Sequence, residues 1–524
     1  MREMNVADII RLNARTRAER EALVVGDLHI TYGRYQEDIE RTAAALAAAG
    51  VDKGDRVAAL GRNSYEYTQL YFALARLGAI LVPLSFWHRT PELAYAVQDA
   101  EPMLIFVEPE LWEPLAPALE ELEFPLDVVK LPGQDGERGE WDAFIEAARG
   151  ADAPMPEIAP EDPHMILYTS GTTGRPKGAI LSHGRTVRDG IAMAMHLGLK
   201  QDDTFMDYFP SFHVGNWDHL KLYMLVGARV VLLREFDTEA VYDAIAEHRP
   251  TVILGVPTMF HSLLGHPRRA EADLSCVRLV YYGAYDPSGL MYEVAEAFGV
   301  TEGRAEMCHT YGLTEGGPFV AFCPHEDLFD HWGSIGRAMV GVELALLDDD
   351  LNEVPAGAAG EICIRGPHMS GYWRKPEETE AAFAGGWMHT GDMAIADDQG
   401  FLMIVDRKKD MIRSGGQNVY SKEVEDCLAL HPKVDDVAVV GLPDAVYEEL
   451  VCAVVVPMPG EDPGDELAAE LIAHVKANLA GYNAPKRVEF VTELPTNAVG
   501  KTQKHLLREK FGSMFDVERT APAA

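Results

Sequence analysis

The sequence predicts an α/β protein: a large N-terminal domain of doubly wound sheets with a small β-barrel subdomain, hinged to a small α+β C-terminal domain. Strand-like and helical segments alternate over residues 7–115 and again after residue 184, which is typical of largely parallel sheets with helices on both faces. Between residues 333 and 405, short strands separated by Gly and Asp turns indicate the β subdomain. Beyond Asp410, helices and strands again mix in one compact unit.

The N-terminal elements follow from local signals. Gly26 and Asp27 separate two strand-like runs and predict a hairpin, and Thr31 is a suitable N-cap for a helix that ends near Gly50. Further strands are expected over residues 56–60, 79–84, 103–107, 205–209, 229–233, 251–256 and 277–282, with helices over 65–77 and 91–99. Residues 113–162 are acidic and proline-rich, so we expect a surface excursion there.

The C-terminal elements predict a separate domain. We expect helices over residues 421–430 and 466–479, and strands over residues 437–440, 451–456 and 487–491. We place the boundary so that the domains cover residues 1–406 and 407–524.

Composition narrows the possible functions. The net charge of −37 repels phosphate backbones, so we expect no nucleic-acid partner. No apolar run approaches the ~18 residues of a spanning helix, so we expect no transmembrane segment. The first residues also lack the apolar core of a signal peptide. The six cysteines include no CxxC pair, which predicts reduced thiols and a cytoplasmic protein.

Residues 168–183 read YTSGTTGRPKGAILSH and follow a short apolar strand. Closely spaced hydroxyls and glycines can close backbone amides around an anion, and Lys177 adds a positive charge. The pattern is not a Walker A loop, because Pro176 takes the place of its second glycine and Gly178 follows the lysine. We predict a polyphosphate site formed by Thr169, Ser170, Gly171, Thr172, Thr173, Gly174 and Lys177.

Two later segments carry candidate side chains. Residues 210–217, PSFHVGNW, place His213 after a strand; this histidine and Trp217 fit either an apolar pocket or the core. Residues 309–317, HTYGLTEGG, offer Glu315, a carboxylate that can hold Mg²⁺ beside a triphosphate or can simply end a turn.

The remaining motifs are short, and each has an ordinary structural interpretation when it is taken alone. They are YYGAYD over 281–286, GEICIRG over 360–366, MSGYW over 369–373, WMHTGD over 387–392, VDRKKDMI over 405–412, SGGQNVY over 414–420 and PTNAVGKTQK over 495–504.

Taken in order, these motifs resemble the acyl-adenylate-forming family, which includes acyl-CoA synthetases, firefly luciferases and peptide-synthetase adenylation domains. The resemblance extends over about residues 6–510. It implies an ATP-dependent carboxylic acid–CoA ligase that forms an acyl-adenylate, releases pyrophosphate and transfers the acyl group to CoA. It also implies Mg²⁺, ATP and CoA as cofactor and co-substrates, and a homodimer.

The resemblance assigns roles to positions of this chain. Lys501 would be the catalytic lysine, Glu315 and Thr169 would ligate Mg²⁺, Lys409 would be the hinge, and His213 would place the acyl carboxylate. The remaining ATP site would comprise Gly283, Ala284, Thr310, Tyr311, Gly312, Thr314, Asp392 and Arg407. The acyl pocket would comprise His213, Trp217, Tyr282, Tyr285 and Gly312, and the CoA channel would approach Gly415 and Gly416. Tyr282 and Tyr285 are bulkier than the usual residues of the family.

Three rival hypotheses remain at this point. A stand-alone adenylating enzyme would pass its acyl group to a carrier protein or an amine. A luciferase-type monooxygenase would consume oxygen, and a non-catalytic nucleotide-binding regulator would not react at all. The acid is open among medium-chain, long-chain, aryl-propenoic and catabolic ring acids.

Overall fold

The computed structural model describes residues 3–134, 136–169, 176–284, 289–415, 417–444, 447–496 and 502–519, without the side chains of residues 513–519. Within these residues the strands are β1 Glu21–Val25, β2 Leu28–Thr31, β3 Arg56–Leu60, β4 Ile80–Leu84, β5 Leu104–Val107, β6 Asp127–Lys130, β7 Pro163–Thr169, β8 Lys177–Ser182, β9 Thr204–Asp207, β10 Arg229–Leu232, β11 Val252–Gly255, β12 Leu279–Gly283, β13 Glu306–Leu313, β14 Gly317–Cys323, β15 Arg337–Ala338, β16 Glu343–Leu347, β17 Ala359–Arg365, β18 Met388–Ala396, β19 Leu402–Arg407, β20 Ile412–Ser414, β21 Gln417–Val419, β22 Val434–Asp444, β23 Glu448–Pro457 and β24 Arg487–Phe490.

The helices of the described residues are α1 Asp8–Arg17, α2 Tyr32–Ala48, α3 Tyr65–Leu77, α4 Thr90–Ala100, α5 Trp112–Glu120, α6 Gly139–Glu146, α7 His183–His196, α8 Val214–Val226, α9 Thr238–His248, α10 Pro257–Gly265, α11 Leu290–Ala297, α12 His325–Leu328, α13 Pro376–Ala382, α14 Ser421–Ala429, α15 Asp465–Asn478 and α16 Lys504–Arg519. The hydroxyl of Thr31 caps α2 by accepting from the backbone N–H of Arg34, as predicted. Residues 113–162 were expected to form a surface excursion, but they contain most of α5, together with β6 and α6. Strand β6 pairs with β5 at the edge of a large sheet.

The chain divides into two compact units, one of Met1–Leu344 with Cys363–Thr390 and one of Ala345–Ile362 with Gly391–Ala524. The predicted boundary between residues 406 and 407 stays a proposal.

The first unit contains two large sheets. One has nine strands in the order β15-β14-β13-β12-β11-β9-β10-β1-β2, and the other has six in the order β6-β5-β3-β4-β7-β8. Their central pairs are parallel, whereas β7 pairs antiparallel with β8, and β13 with β14. Helices connect the parallel strands, which confirms the predicted doubly wound architecture.

The region predicted as a small barrel is a four-stranded sheet in the order β16-β17-β18-β19, so β16 and β19 are its edges. With two edges this sheet is open and does not close into a barrel.

The second unit is built on the sheet β21-β20-β23-β22, with β24 parallel to β23. Successive residues of β22 alternate between two hydrophobic clusters, because side chains alternate across a strand: Val439 belongs to one, and Ala438 and Val440 belong to the other. Residues of α14 and α15 join the first cluster, and residues of α16 join the second.

Candidate active site

Glu315 lies in the turn between β13 and β14, where three distant parts of the first unit meet. The hydroxyl of Thr169, the last residue of β7, donates to its Oε1 at 2.9 Å, and the hydroxyl of Tyr372 donates to the same oxygen at 3.1 Å. The backbone of the turn is held as well, because the N–H of Met369 donates to the carbonyl oxygen of Glu315 at 2.6 Å. Burial and the neighbouring carboxylate raise the pKa of Tyr372, so its phenol stays a donor at neutral pH.

Lys177 completes this group of side chains. It is the first residue of β8 and is paired in register with Thr169. Its ammonium lies over the ring of Tyr372, 5.2 Å from the ring centroid. The predicted phosphate-loop residues Ser170, Gly171, Thr172, Thr173 and Gly174 lie outside the described residues.

Among the described residues, both donors contact Oε1 of Glu315. No described residue donates a hydrogen bond to its second carboxylate oxygen, Oε2. Carboxylate and hydroxyl oxygens are hard ligands of the kind that Mg²⁺ prefers, so Glu315 and Thr169 fit that ion.

Two of the predicted ATP-site residues, Gly283 and Thr310, lie on neighbouring parallel strands. Gly283 of β12 pairs with Thr310 of β13, and the Thr310 hydroxyl donates to the carbonyl oxygen of Tyr282 at 3.1 Å. Gly312 cannot carry a side chain, because a Cβ there would lie 2.1 Å from the carbonyl oxygen of Pro318. Ala284 ends the described segment with a φ of 74°.

Tyr282 and His309 form a stacked pair at this edge of the sheet, with ring centroids 4.3 Å apart. The two ring nitrogens of His309 contact the carbonyl oxygens of Ser334 at 2.7 Å and of Ala284 at 3.1 Å. Tyr282 therefore packs against a buried histidine, while Tyr285, its predicted companion in the acyl pocket, lies outside the described residues.

His213 is exposed and caps α8, since its Nδ1 accepts from the backbone N–H of Gly215 at 3.0 Å. Trp217 is buried one turn later, with its ring 4.6 Å from that of Tyr71, and it donates its indole N–H to the carbonyl oxygen of Ser211. The structure therefore places Trp217 in the hydrophobic core behind His213.

The second unit holds Asp392 and Arg407, two of the predicted ATP-site residues. Asp392 of β18 and Arg407 of β19 face each other across a register pair, and Nε of Arg407 lies 2.6 Å from the buried Asp392 carboxylate. Lys408 bonds Asp349 at 2.8 Å and Glu361 at 3.0 Å. Its pKa is raised, because these two carboxylates outweigh the effect of burial.

Beside the predicted hinge, Asp406 belongs to a buried polar network that the sequence did not reveal. Its carboxylate accepts from the hydroxyl of Ser421, which in turn accepts from Lys504 at 2.7 Å, and Lys504 pairs with Glu425 at 2.7 Å. Burial raises the pKa values of Asp406 and Glu425. This network attaches the first turn of α16 to α14 and β19.

Lys409 and Gly415 lie in described segments that flank β20, and Gly415 has a φ of 59°. The predicted catalytic Lys501 and the second loop glycine, Gly416, lie outside the described residues. No helix among the described residues is long and apolar enough to span a membrane.

Comparison with protein families matches residues 10–373 to the AMP-binding enzyme and residues 423–501 to the AMP-binding enzyme C-terminal domain. The chain belongs to the AMP-binding enzyme family.

Individual relatives of this AMP-binding enzyme support the assignment. It is 37% identical to a feruloyl-CoA synthase of an Amycolatopsis species, covering 95% of this chain and 97% of the relative. It is 35% identical to the indoleacetate–CoA ligase of Aromatoleum aromaticum, and the match covers 99% of this chain and 100% of the relative. The crystal structure of ATP-bound MatB from Rhodopseudomonas palustris superposes with a TM-score of 0.85 at 31% identity. The superposition covers 98% of this chain and 100% of the MatB chain.

These findings confirm the predicted family, the predicted fold class and the predicted enzyme class, an AMP-forming acid–thiol ligase. Tyr372 is the main member of the AMP-binding enzyme's Glu315 cluster that the sequence analysis did not place in the site. It belongs to the MSGYW motif, yet only the fold brings it to a carboxylate 57 residues away.

Proposed function

We propose that this chain is an ATP-dependent carboxylic acid–CoA ligase. The observation that carries the proposal is the convergence of Thr169, Tyr372 and Lys177 at Glu315 in one unit. A triphosphate needs both a hard-oxygen site for its metal ion and a fixed cation, and this group offers both.

In the first half-reaction, a carboxylate oxygen of the acid attacks the α-phosphorus of ATP. The bond from the α-phosphorus to the bridging oxygen breaks, and pyrophosphate leaves to the predicted polyphosphate site of Lys177 and residues 170–174. When bound at Glu315 and Thr169, Mg²⁺ supplies charge neutralisation of the phosphates. Thr314 and Lys501 stabilise the charge that develops on the α-phosphate.

We propose that His213 positions the acid, that Gly283, Ala284 and Tyr311 hold the adenine, and that Asp392 and Arg407 of the second unit hold the ribose. The 2.6 Å ion pair between Asp392 and Arg407 keeps both side chains oriented before the nucleotide binds.

In the second half-reaction, the thiolate of CoA attacks the acyl carbonyl carbon and AMP leaves with the shared oxygen. We propose that Lys409 is the pivot between the two half-reactions and that Gly415 and Gly416 approach the pantetheine. We also propose a cytoplasmic location, because none of the six cysteines, all of which lie in described residues, forms a disulfide. From the family resemblance we propose a homodimer.

Two assays test the proposal. Acid-dependent exchange of labelled pyrophosphate into ATP measures the first half-reaction, and mass detection of acyl-CoA measures the second. Exchange together with acyl-CoA is expected. Exchange without acyl-CoA would instead indicate a carrier protein or an amine as acceptor, and a lack of exchange with every acid would refute adenylation. Light scattering tests the homodimer.

A further inference from the structure

One face of α8 leads from the exposed His213 to a buried histidine that the proposed mechanism does not use. His219 is four residues after Gly215, so both lie on the same face of the helix. A side chain at Gly215 would come within 2.9 Å of Nδ1 of His213 and 3.4 Å of the Phe209 ring. Glycine therefore allows these two rings to lie against the start of the helix.

His219 presents an unused hydrogen-bond acceptor. Its Nδ1 lies 2.5 Å from the carbonyl oxygen of Gly215, so Nδ1 carries the proton and donates it. Burial lowers the pKa of His219 to about 4, so the ring is neutral at pH 7 and Nε2 has a free lone pair. Nε2 is buried and has no hydrogen-bond partner among the described residues.

Aromatic rings from three other elements surround this nitrogen-bearing ring. The centroids of Tyr281 on β12, Phe319 on β14 and Phe209 after β9 lie 5.6 Å, 6.2 Å and 6.5 Å from that of His219. The Phe209 ring also stacks on His213, 6.4 Å away. A continuous series of rings therefore runs inward from His213 to His219.

The distance along this face restricts the ligand. His219 lies six positions after His213, which corresponds to about 9 Å of helix rise. A carboxylate joined through a short unsaturated chain to a phenyl ring with a para substituent has a similar reach. Flat rings also pack well edge to face against aromatic walls.

We propose that the acid activated by this ligase is an aromatic carboxylic acid whose ring carries a hydroxyl or N–H opposite the carboxylate, and that this donor binds Nε2 of His219. The inference rests on the proposed function and names its substrate class. An unpaired buried acceptor is costly, so an acid that supplies the missing donor is favoured over one that does not. A saturated fatty acid has no such donor. His219 is then a specificity-determining residue.

The test compares kcat/KM in the exchange assay for para-hydroxyphenylpropenoic acid, phenylpropenoic acid and decanoic acid. The wild-type enzyme is expected to prefer the hydroxylated acid over the unsubstituted one by about tenfold or more. His219→Leu is expected to bring this ratio close to unity, and His219→Gln, whose amide oxygen can accept, is expected to keep part of it. His248→Leu, at the end of α9, is the matched control and should keep the wild-type ratio.

A wild-type ratio near unity, a preference for decanoic acid, or an unchanged ratio in His219→Leu would overturn the inference. If His219→Leu does not fold, the inference is tested by the kcat/KM ratios of the wild-type enzyme and of His219→Gln. Exchange with some acid but without the preference refutes only the substrate class, whereas no exchange with any acid refutes the ligase proposal itself.

Discussion

Glu315 receives two hydroxyl donors on one oxygen, so its position is set by groups from β7 and from the segment before α13. We predict that Glu315→Gln lowers the exchange rate about 100-fold, because the amide retains the shape and the acceptor but loses the charge that is proposed to hold Mg²⁺. The exchange assay, titrated with Mg²⁺, measures this, and the half-saturating Mg²⁺ concentration should rise.

The exposed Glu271→Gln is the control for this change and should behave as wild type. An unaltered Mg²⁺ titration in Glu315→Gln would exclude Glu315 as the metal ligand.

The turn that carries Glu315 packs against side chains of α7. Gly317, the first residue of β14, has a φ of 104°, and a Cβ there would lie 3.0 Å from the carboxylate of Asp189 and 3.4 Å from the guanidinium of Arg185. These two α7 side chains are buried and lie 3.0 Å apart, and Asp218 and Lys221 of α8 form a second pair at 2.9 Å. The side chains under the turn therefore have little freedom to move away.

We predict that Gly317→Ala reduces the exchange rate about tenfold or more, because the new methyl group pushes the Glu315 turn out of position. Gly341→Ala is the matched control, since Gly341 has a similar φ of 88° but open space around it. Both variants should lose about 1–3 kcal/mol of unfolding free energy in urea from backbone strain. Equal exchange rates in the two variants would show that Asp189 and Arg185 do not position the turn.

The N-terminal segment is hydrogen-bonded to α7 and α8. The backbone N–H of Val6 donates to Nδ1 of the buried His183 at 3.3 Å, and Asn13 of α1 donates to the carbonyl oxygen of Met224 at 2.8 Å. Burial lowers the pKa of His183 from 6.5 to about 4. The folded protein thus keeps this ring neutral where the unfolded chain would protonate it.

Consequently the free energy of unfolding should decrease as the pH falls from about 6.5 to about 4, because the unfolded state binds a proton that the folded state rejects. We predict that His183→Asn, whose side-chain oxygen can still accept from Val6, shows a smaller decrease in melting temperature over this range. The exposed His261→Asn should follow the wild-type curve. Identical pH profiles for all three proteins would contradict the assignment to His183.

The whole chain carries a net charge of −37, yet its proposed ligands are anions. Binding then depends on a few local cations such as Lys177, Arg407 and Lys501. We predict that Lys501→Ala lowers adenylate formation about 100-fold or more. It should leave thioester formation from preformed acyl-adenylate within a few-fold of wild type, because the proposed mechanism uses Lys501 only in the first half-reaction.

Single-turnover measurements of each half-reaction test this, with the exposed Lys476→Ala of α15 as the control. Normal adenylate formation in Lys501→Ala, or an equal loss in both half-reactions, would contradict the assigned role.

The sequence by itself determined the alternation of strands and helices, the family and the order of its motifs, because these depend on local periodicity and on residues that are close along the chain. It therefore predicted Thr169 and Glu315 for one site, and the fold brings their side chains into hydrogen-bond contact. It did not show that Tyr372 and Thr169 donate hydrogen bonds to the same carboxylate oxygen of Glu315. Nor did it show that the Ser421 hydroxyl links Lys504 to Asp406, or that Trp217 lies in the core against Tyr71. These contacts join residues far apart in the chain or depend on which helix face is buried, so only tertiary packing decides them. The unpaired nitrogen of His219 belongs to the same class, because it is buried only once α8 packs against the surrounding rings.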